Sequence, residues 1–430
     1  MTYSAAVAYL YSLQKHGIKL GLETMTTLMS RLGNPQTRYA VVHIAGTNGK
    51  GSTAAIAAAI LEAAGHRVGL YTSPHLVEFR ERIRVNGAMI PEAEVARLTG
   101  VVRCASGGDL AATFFESTTA MALQYFADAG VEVAVLEVGL GGRFDATNIA
   151  APRACAITTV ALDHQEYLGD TLPAIAFEKA GIIKPQVPVI LGRIEGEALE
   201  IILNVADERR APVSRLGTTF TVRGTSDRFC YQSGAVHYDD LSVVLNGTYQ
   251  LDNAACAIAL LQAAGTITPP IGEHAVRTGL ASVRWEGRLE EVQRDPTVLL
   301  DGAHNPASAG VLAEYLHSIK AARPSSRVTV VLAMMRDKDH RGVARALRAV
   351  ADHIIFTQVD IARSASAEDL QRELRDIVPV SSVASPASEA LALAKRSASP
   401  RDIICVTGSL MLVGEVKAAL RGCELSPLRG

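Results

Sequence analysis

The stretch Val41–Ala58, VVHIAGTNGKGSTAAIAA, runs from an apolar strand through a glycine-rich turn with one lysine into an alanine-rich helix. That order builds a cradle for a nucleotide triphosphate. The turn offers backbone N–H groups, the helix N-terminus adds partial positive charge, Lys50 adds a full charge, and Ser52 offers a hydroxyl to Mg²⁺. A tight strand-to-helix turn explains the glycines alone, but it leaves Thr47, Asn48, Lys50 and Ser52 without a reason. The spacing is a variant of the general phosphate loop, GxxxxGK followed directly by Ser or Thr. Ile44 stands where the first glycine belongs, and Gly51 separates Lys50 from Ser52.

Outward from this stretch, short β-rich runs alternate with helical ones as far as about residue 190: VVHIAG, VGLYTS, VEVAVLEVG, ACAITTVA and VPVILG, with helices expected near 92–104 and 117–129. Strands that are apolar without alternation belong to a doubly wound, mainly parallel sheet covered on both faces, whose ligands gather at the strands' carboxyl ends. Residues 213–248 read as a small antiparallel insert with strands at 219–222, 229–232, 235–238 and 241–245, followed by helices at 252–264 and 271–281. The polar segment GRLEEVQRDP, ending at Pro296, breaks the pattern. Beyond it VTVVLAMM, HIIFTQV, VSSVA and DIICVTGSL restart the alternation, so the expected organisation is an α/β domain at 1–288 and a second, smaller Rossmann-like α/β domain at 297–430.

A chain of 430 residues is long enough for two such cores. A net charge of −2 with no basic tract argues against nucleic acid as a partner. No apolar run reaches about 18 residues and no cleavable leader is visible, so a cytoplasmic, non-membrane protein acting on small molecules is expected, as a monomer. The six cysteines lack CxxC spacing and suggest neither a zinc site nor a disulfide framework.

Further groups fall at the same sheet edge. Ser73 follows the strand VGLY; it reads either as the start of a Ser-Pro turn or as a hydroxyl ligand for Mg²⁺. Glu137 closes an apolar strand, where a carboxylate needs a partner or a metal, and so reads as a Walker-B-like ligand. His164 arrives after Cys155–Ala161. With Ser52 these groups suffice for two Mg²⁺ ions sharing one carboxylate, although imidazole is an unusual Mg²⁺ ligand. Lys179, in FEKAGIIK, reads on its own as an ordinary helical lysine.

The chain resembles the folylpolyglutamate synthases, and more closely the bacterial bifunctional dihydrofolate synthase/folylpolyglutamate synthases, within the Mur ligase superfamily. GTNGKGST, SPHL, RERIRVNG, TFFE, LEVGLGGRFDATN, DHQEYLGDTLPAIAFEKAGIIK, QLDNAACA, Gly287-Arg288, DGAHNP and the DKD at 337–339 carry the resemblance, in family order across nearly the whole chain. It implies an ATP- and Mg²⁺-dependent amide ligase that adds L-glutamate through an acyl phosphate, either to both dihydropteroate and reduced folates or, as a folylpolyglutamate synthase only, to reduced folates. By the same resemblance, Thr47, Asn48, Gly49, Lys50, Gly51 and Ser52 bind phosphates, and Ser73, Glu137 and His164 hold Mg²⁺. Lys179 matches a lysine that the family carbamylates. Asn253, Arg288, Asp301 and His304 match nucleotide-binding positions, with Lys50, Lys179 and His304 the catalytic candidates. Thr113, Phe114, Phe115 and Glu116, with Phe144, Asp145 and Ala146, match the pterin site, and Ser409 is a candidate for the glutamate side. Three positions depart from the family: Glu286 in place of Pro, Tyr249 in place of a common His, and Met411 in place of a frequent Tyr.

Two other readings compete. A cell-wall Mur ligase would carry a UDP-sugar domain ahead of the phosphate loop, and about forty residues are too few for one. A nucleotide-binding switch does not explain Ser73, Glu137 and His164 together, nor a second α/β domain bearing DGAHNP.

Overall fold

Unbroken apolar runs become parallel strands because helices cover both of their faces. The computed structural model describes residues 1–17, 21–107, 110–265 and 271–426. Its first sheet comprises β1 (Ala40–Ala45), β2 (Val68–Tyr71), β3 (Ile83–Val85), β4 (Ala88–Met89), β5 (Val133–Glu137), β6 (Ala154–Ile157), β7 (Val189–Leu191) and β8 (Val213–Arg215), in the order β4-β3-β2-β5-β1-β6-β7-β8. All pairs are parallel except β2–β3 and β3–β4. β1 therefore lies between β5 and β6, so the loops that follow these three strands emerge side by side.

The helix Lys50–Ala63 is buried along nearly its whole length, which its alanines permit. Helix Glu273–Ser282 meets it at Gly279, where a β-carbon would fall 2.5 Å from the Ile60 Cα. Two of the apolar clusters in this part of the chain flank the sheet. One gathers Leu10, Phe79, Phe114, Met121 and Phe126, and the other Ile157, Ala180, Ile182 and Ile202.

Two expectations are corrected here, the start of the insert and its number of strands. Val213–Arg215 does not begin the antiparallel insert but extends the large sheet parallel to β7. The insert has three strands, β9 (Phe220–Thr225), β10 (Arg228–Ser233) and β11 (Val236–Leu241). Of the expected strand at 241–245 only Leu241 lies in a strand, as the last residue of β11; beyond it the Val243 N–H donates to Ser226 O and the Val244 N–H to Leu280 O, leaving no ladder to join.

A six-stranded sheet follows: β12 (Glu290–Gln293), β13 (Thr297–Leu300), β14 (Val328–Leu332), β15 (His353–Phe356), β16 (Ser381–Val383) and β17 (Ile403–Thr407), ordered β12-β13-β17-β14-β15-β16. Only β12 runs antiparallel to its neighbour. The chain divides into two units. The first is Met1–Ser73, Phe79–Val244 and Gln250–Arg284; the second is Pro74–Glu78, Leu245–Tyr249 and Trp285–Gly430. The division thus falls at 284/285, a few residues before the expected break at 288–297, and two short segments from earlier in the chain belong to the second unit. Among the described residues no helix is long and apolar enough to cross a membrane.

Candidate active site

In the first unit the site is assembled from the loops after β1, β2, β5 and β6. Gly46 and Gly49 both take positive φ, +149° and +87°. A β-carbon at Gly46 would lie 2.0 Å from Thr158 Oγ1, and one at Gly49 would lie 2.4 Å from Asn253 Oδ1. These glycines let the turn close against the β6 loop and the helix Tyr249–Ala263. No side chain caps the helix Lys50–Ala63 at Gly49, so its first-turn N–H groups suit an anionic ligand.

Thr47 is spent on structure. Its hydroxyl donates to Ala161 O (3.2 Å) and accepts from the Ala161 N–H (3.0 Å). Its own N–H donates to Thr159 O, while the Asn48 N–H donates to Thr159 Oγ1. Thr158 and Thr159, which sequence reasoning passed over, both donate to Asn48 O. Their part in fixing the turn has no signature beyond two hydroxyls at a strand end.

Lys50 Nζ donates to Gly46 O at 3.0 Å, and Lys179 Nζ donates to the same oxygen at 3.0 Å. Burial and the Lys50 charge push the Lys179 ammonium down to about 7, with Asp163 opposing. What brings Lys179 there is close backbone packing. β-Carbons at Gly142 and Gly181 would strike the Glu178 and Lys179 carbonyls and Arg143 respectively. The Arg143 N–H also donates to Glu178 O, and its guanidinium pairs with Glu178 at 2.6 Å.

Glu137 is buried at the end of β5, and its Oε2 accepts from the Ser73 N–H at 3.1 Å. Ser52, at the start of the helix, receives Gln250 Nε2 at 3.3 Å, and Gln250 Oε1 in turn accepts from Asn253 Nδ2 at 2.8 Å. Gln250 was not singled out from sequence; its position three residues before Asn253 on one helix was the available signal. His164 takes a left-handed backbone and sits beside the buried Asp163, whose carboxylate accepts from the His164 N–H. Among the described residues no three His, Cys, Asp or Glu side chains gather into a metal cluster. The four groups expected to hold a metal, two hydroxyls, one buried carboxylate and one imidazole, thus make no such cluster by themselves; mostly oxygen donors of this kind suit a hard divalent ion that takes further ligands from phosphate and water.

The residues matched to the pterin site have firm structural duties. Thr113 and Glu116 form a capping box, the Thr113 hydroxyl accepting from the Glu116 N–H and Glu116 Oε2 from the Thr113 N–H. Phe114 stacks on Tyr11, their ring centres 5.2 Å apart, and Phe115 fills the space above Gly139. Asp145 is the hub of its loop. Its Oδ2 accepts from the Gly139 and Leu140 N–H groups, and its Oδ1 from the Thr147 N–H and hydroxyl. Because that hydroxyl proton points to Asp145, the 2.8 Å contact with His43 Nε2 makes His43 the donor, which fixes its tautomer. Phe144 lies under the Arg143 guanidinium at 4.2 Å, and Ala146 is buried.

In the second unit, Arg288, Asp301 and His304 come together at the carboxyl end of β13. The buried Asp301 accepts from the Leu289 and Ala303 N–H groups; burial raises its pKa and Arg288 opposes the rise. His304 Nδ1 donates to Gly302 O at 2.8 Å, which puts the ring lone pair at Nε2. Ser409, buried after β17, caps helix Leu410–Arg421 by accepting from the Met411 N–H.

Comparison with known proteins matches residues 44–261 to the Mur ligase middle domain and 287–410 to the Mur ligase glutamate ligase domain. The chain is 35% identical to a dihydrofolate synthase/folylpolyglutamate synthase of Bacillus subtilis, covering 97% of this chain and 99% of that protein. It is likewise 35% identical to a folylpolyglutamate synthase of Lacticaseibacillus casei, covering 98% and 99%. The structure matches Escherichia coli FolC in complex with DHPP and ADP with a TM-score of 0.90 at 34% identity, covering 98% of each chain. With motifs, site geometry and full-length similarity in agreement, the chain belongs to the dihydrofolate synthase/folylpolyglutamate synthase family of Mur ligases.

Proposed function

We propose that this chain joins L-glutamate to dihydropteroate and to reduced folates, using ATP to activate the acceptor carboxylate. The observation that carries the reading is the meeting of Lys50 and Lys179 at Gly46 O, at the mouth of an uncapped glycine-rich helix start. The pteroate or folate carboxylate takes the γ-phosphoryl group of ATP, giving an acyl phosphate and ADP. The glutamate amine then attacks the acyl carbon and phosphate leaves. No nucleophile of the protein is required. Support comes from the related structures, one holding DHPP and ADP and another Mn, AMPPNP and L-glutamate.

Lys50 and the helix N-terminus offset the negative charge of the triphosphate. A divalent ion bound by Ser52, Ser73, Glu137 and His164 would neutralise charge on the transferring phosphoryl group, and two ions can share Glu137. Lys179 is poised for carbamylation, since an amine with a pKa near 7 is largely neutral at physiological pH and can add to CO₂ with loss of a proton. The resulting anion would sit where its ammonium is now least comfortable, next to Lys50. Asn253, Arg288, Asp301 and His304 are assigned to the nucleotide. Phe115 and the Phe144–Ala146 loop are assigned to the pterin, with Thr113, Phe114 and Glu116 shaping its wall, and Ser409 to the glutamate side.

The decisive assay follows ADP release with dihydropteroate or tetrahydrofolate, each with and without L-glutamate. Release that requires both acceptor and glutamate is expected; glutamate-independent turnover would sink the reading. Activity with tetrahydrofolate alone would narrow it to a folylpolyglutamate synthase, the activity named for the Lacticaseibacillus casei relative.

A further inference from the structure

Arg288 sits at the centre of a turn, Glu286–Glu290, whose backbone is unusual: Gly287 and Leu289 both take positive φ, +67° and +46°. A left-handed leucine persists only where its surroundings impose it. Three hydrogen bonds contribute, the Gly302 N–H to Gly287 O, the Leu289 N–H to Asp301 Oδ2, and Asn246 Nδ2 to Leu289 O at 2.9 Å. A further restraint comes from the last helix. Lys417 is almost wholly buried, and its ammonium reaches both Glu290 oxygens, Oε2 at 2.5 Å, and Glu286 Oε2 at 2.9 Å. Glu286 Oε1 is also held by Arg421 at 2.6 Å, and Glu290 Oε2 accepts from the Gly287 N–H at 2.8 Å. Two cations thus balance two carboxylates, and all three ammonium protons have acceptors.

The glutamates gripped by Lys417 stand two residues either side of Arg288. The Arg288 guanidinium folds back so that Nη1 donates to Gly287 O at 2.9 Å, and a β-carbon on Gly302 would lie 2.6 Å from it. We propose that Lys417 is a positioning residue for nucleotide binding: by holding Glu286 and Glu290 it keeps the turn left-handed and aims the Arg288 guanidinium across Gly302. The inference rests on the assignment of Arg288 to the nucleotide. Without the ammonium, two neighbouring carboxylates share one arginine and repel, and Leu289 is released toward an ordinary backbone conformation.

The test is a double-mutant cycle on the full-length enzyme, with kcat and KM for ATP measured for Lys417→Met, Lys417→Arg, Arg288→Ala and the double variant Lys417→Met/Arg288→Ala. Lys417→Met is expected to raise the KM for ATP about tenfold with a smaller change in kcat, a pattern that mere loss of folded enzyme does not give. Lys417→Arg should restore much of the affinity, and the double variant should be no worse than Arg288→Ala, because residues acting as one unit are not additive. Should Lys417→Met not fold, Glu286→Gln carries the same cycle with a smaller effect in the same direction. A KM that stays unchanged in the Lys417 variants, or penalties that multiply in the double variant, overturns the proposal while leaving Arg288 in place. An unchanged KM in Arg288→Ala removes the assignment of Arg288 itself, and the proposal with it.

Discussion

Two lysine side chains on one carbonyl oxygen are tolerated by a folded protein only at a cost, and Lys179 bears it as a lowered pKa. Lys179→Ala should lower turnover by about two orders of magnitude or more, the scale of a positioned charged group. Acetate or propionate should recover part of that loss by supplying the missing anion. A fully active Lys179→Ala enzyme would end the carbamate assignment. His43 gives a second prediction, about stability. Burial, with the Lys184 charge adding to it, lowers its pKa from 6.5 to about 3. The unfolded chain therefore binds a proton that the folded chain refuses. The stability this histidine permits is complete above about pH 6.5 and is lost as pH falls toward 3. Unfolding free energies from urea titrations should thus decline with acidification by up to about 1.4 kcal/mol per pH unit on this account, and His43→Gln should flatten that slope. Equal slopes in the two proteins would show that other groups govern acid unfolding. That Glu137 needs a partner was legible in the sequence, because a carboxylate closing an apolar strand demands one, and the Ser73 N–H supplies a hydrogen bond to it. Lys179 was not, because nothing in FEKAGIIK reveals that Gly142 and Gly181 let its helix end press against the Gly46 turn.

At the scale of elements, local signals worked where one principle dominated. The strand, glycine turn and alanine helix of Val41–Ala58 form as read, since periodicity, glycine placement and helix propensity agree there. The β3–β4 hairpin was missed, although Asn86-Gly87, both with positive φ, is the usual two-residue hairpin turn. β8 was not read as a strand and its residues were included in the insert, because three residues of strand carry no information about which edge they join. Helix packing is the least legible of all. Gly279 looks like a weak point in a helix, yet it is the place where that helix touches Ile60 backbone to backbone. Gly279→Val should destabilise the protein by about 1–3 kcal/mol or more, the usual penalty of overpacking. A denaturation midpoint equal to that of the parent would mean that the two helices can part without loss.

For the whole molecule, the informative feature is that the second unit is not one continuous piece of chain. Leu76 and Val77 pack in the same core as Val298, Leu300, Met411 and Val413. A β-carbon on Gly414 would lie 2.1 Å from Leu76 O, and the Ser426 N–H donates to Val77 O. Tyr249 likewise packs against the core that holds Leu289, Leu299 and Leu316. The family-level match to a glutamate ligase domain begins at residue 287 and includes none of Leu76, Val77 and Tyr249. A fragment spanning 285–430 should therefore show a broad, non-cooperative thermal transition and bind hydrophobic dye, whereas the full chain should not. A sharp, reversible transition for the fragment alone would contradict this.

For evolution and engineering, this means the C-terminal portion is not a cassette. A gene fusion or domain graft cut at the obvious sequence boundary would leave behind a pentapeptide plug from each of two distant exchange points. Recombination between homologues in this family would then succeed only when the residues at 74–78 and 245–249 travel with the partner they seal.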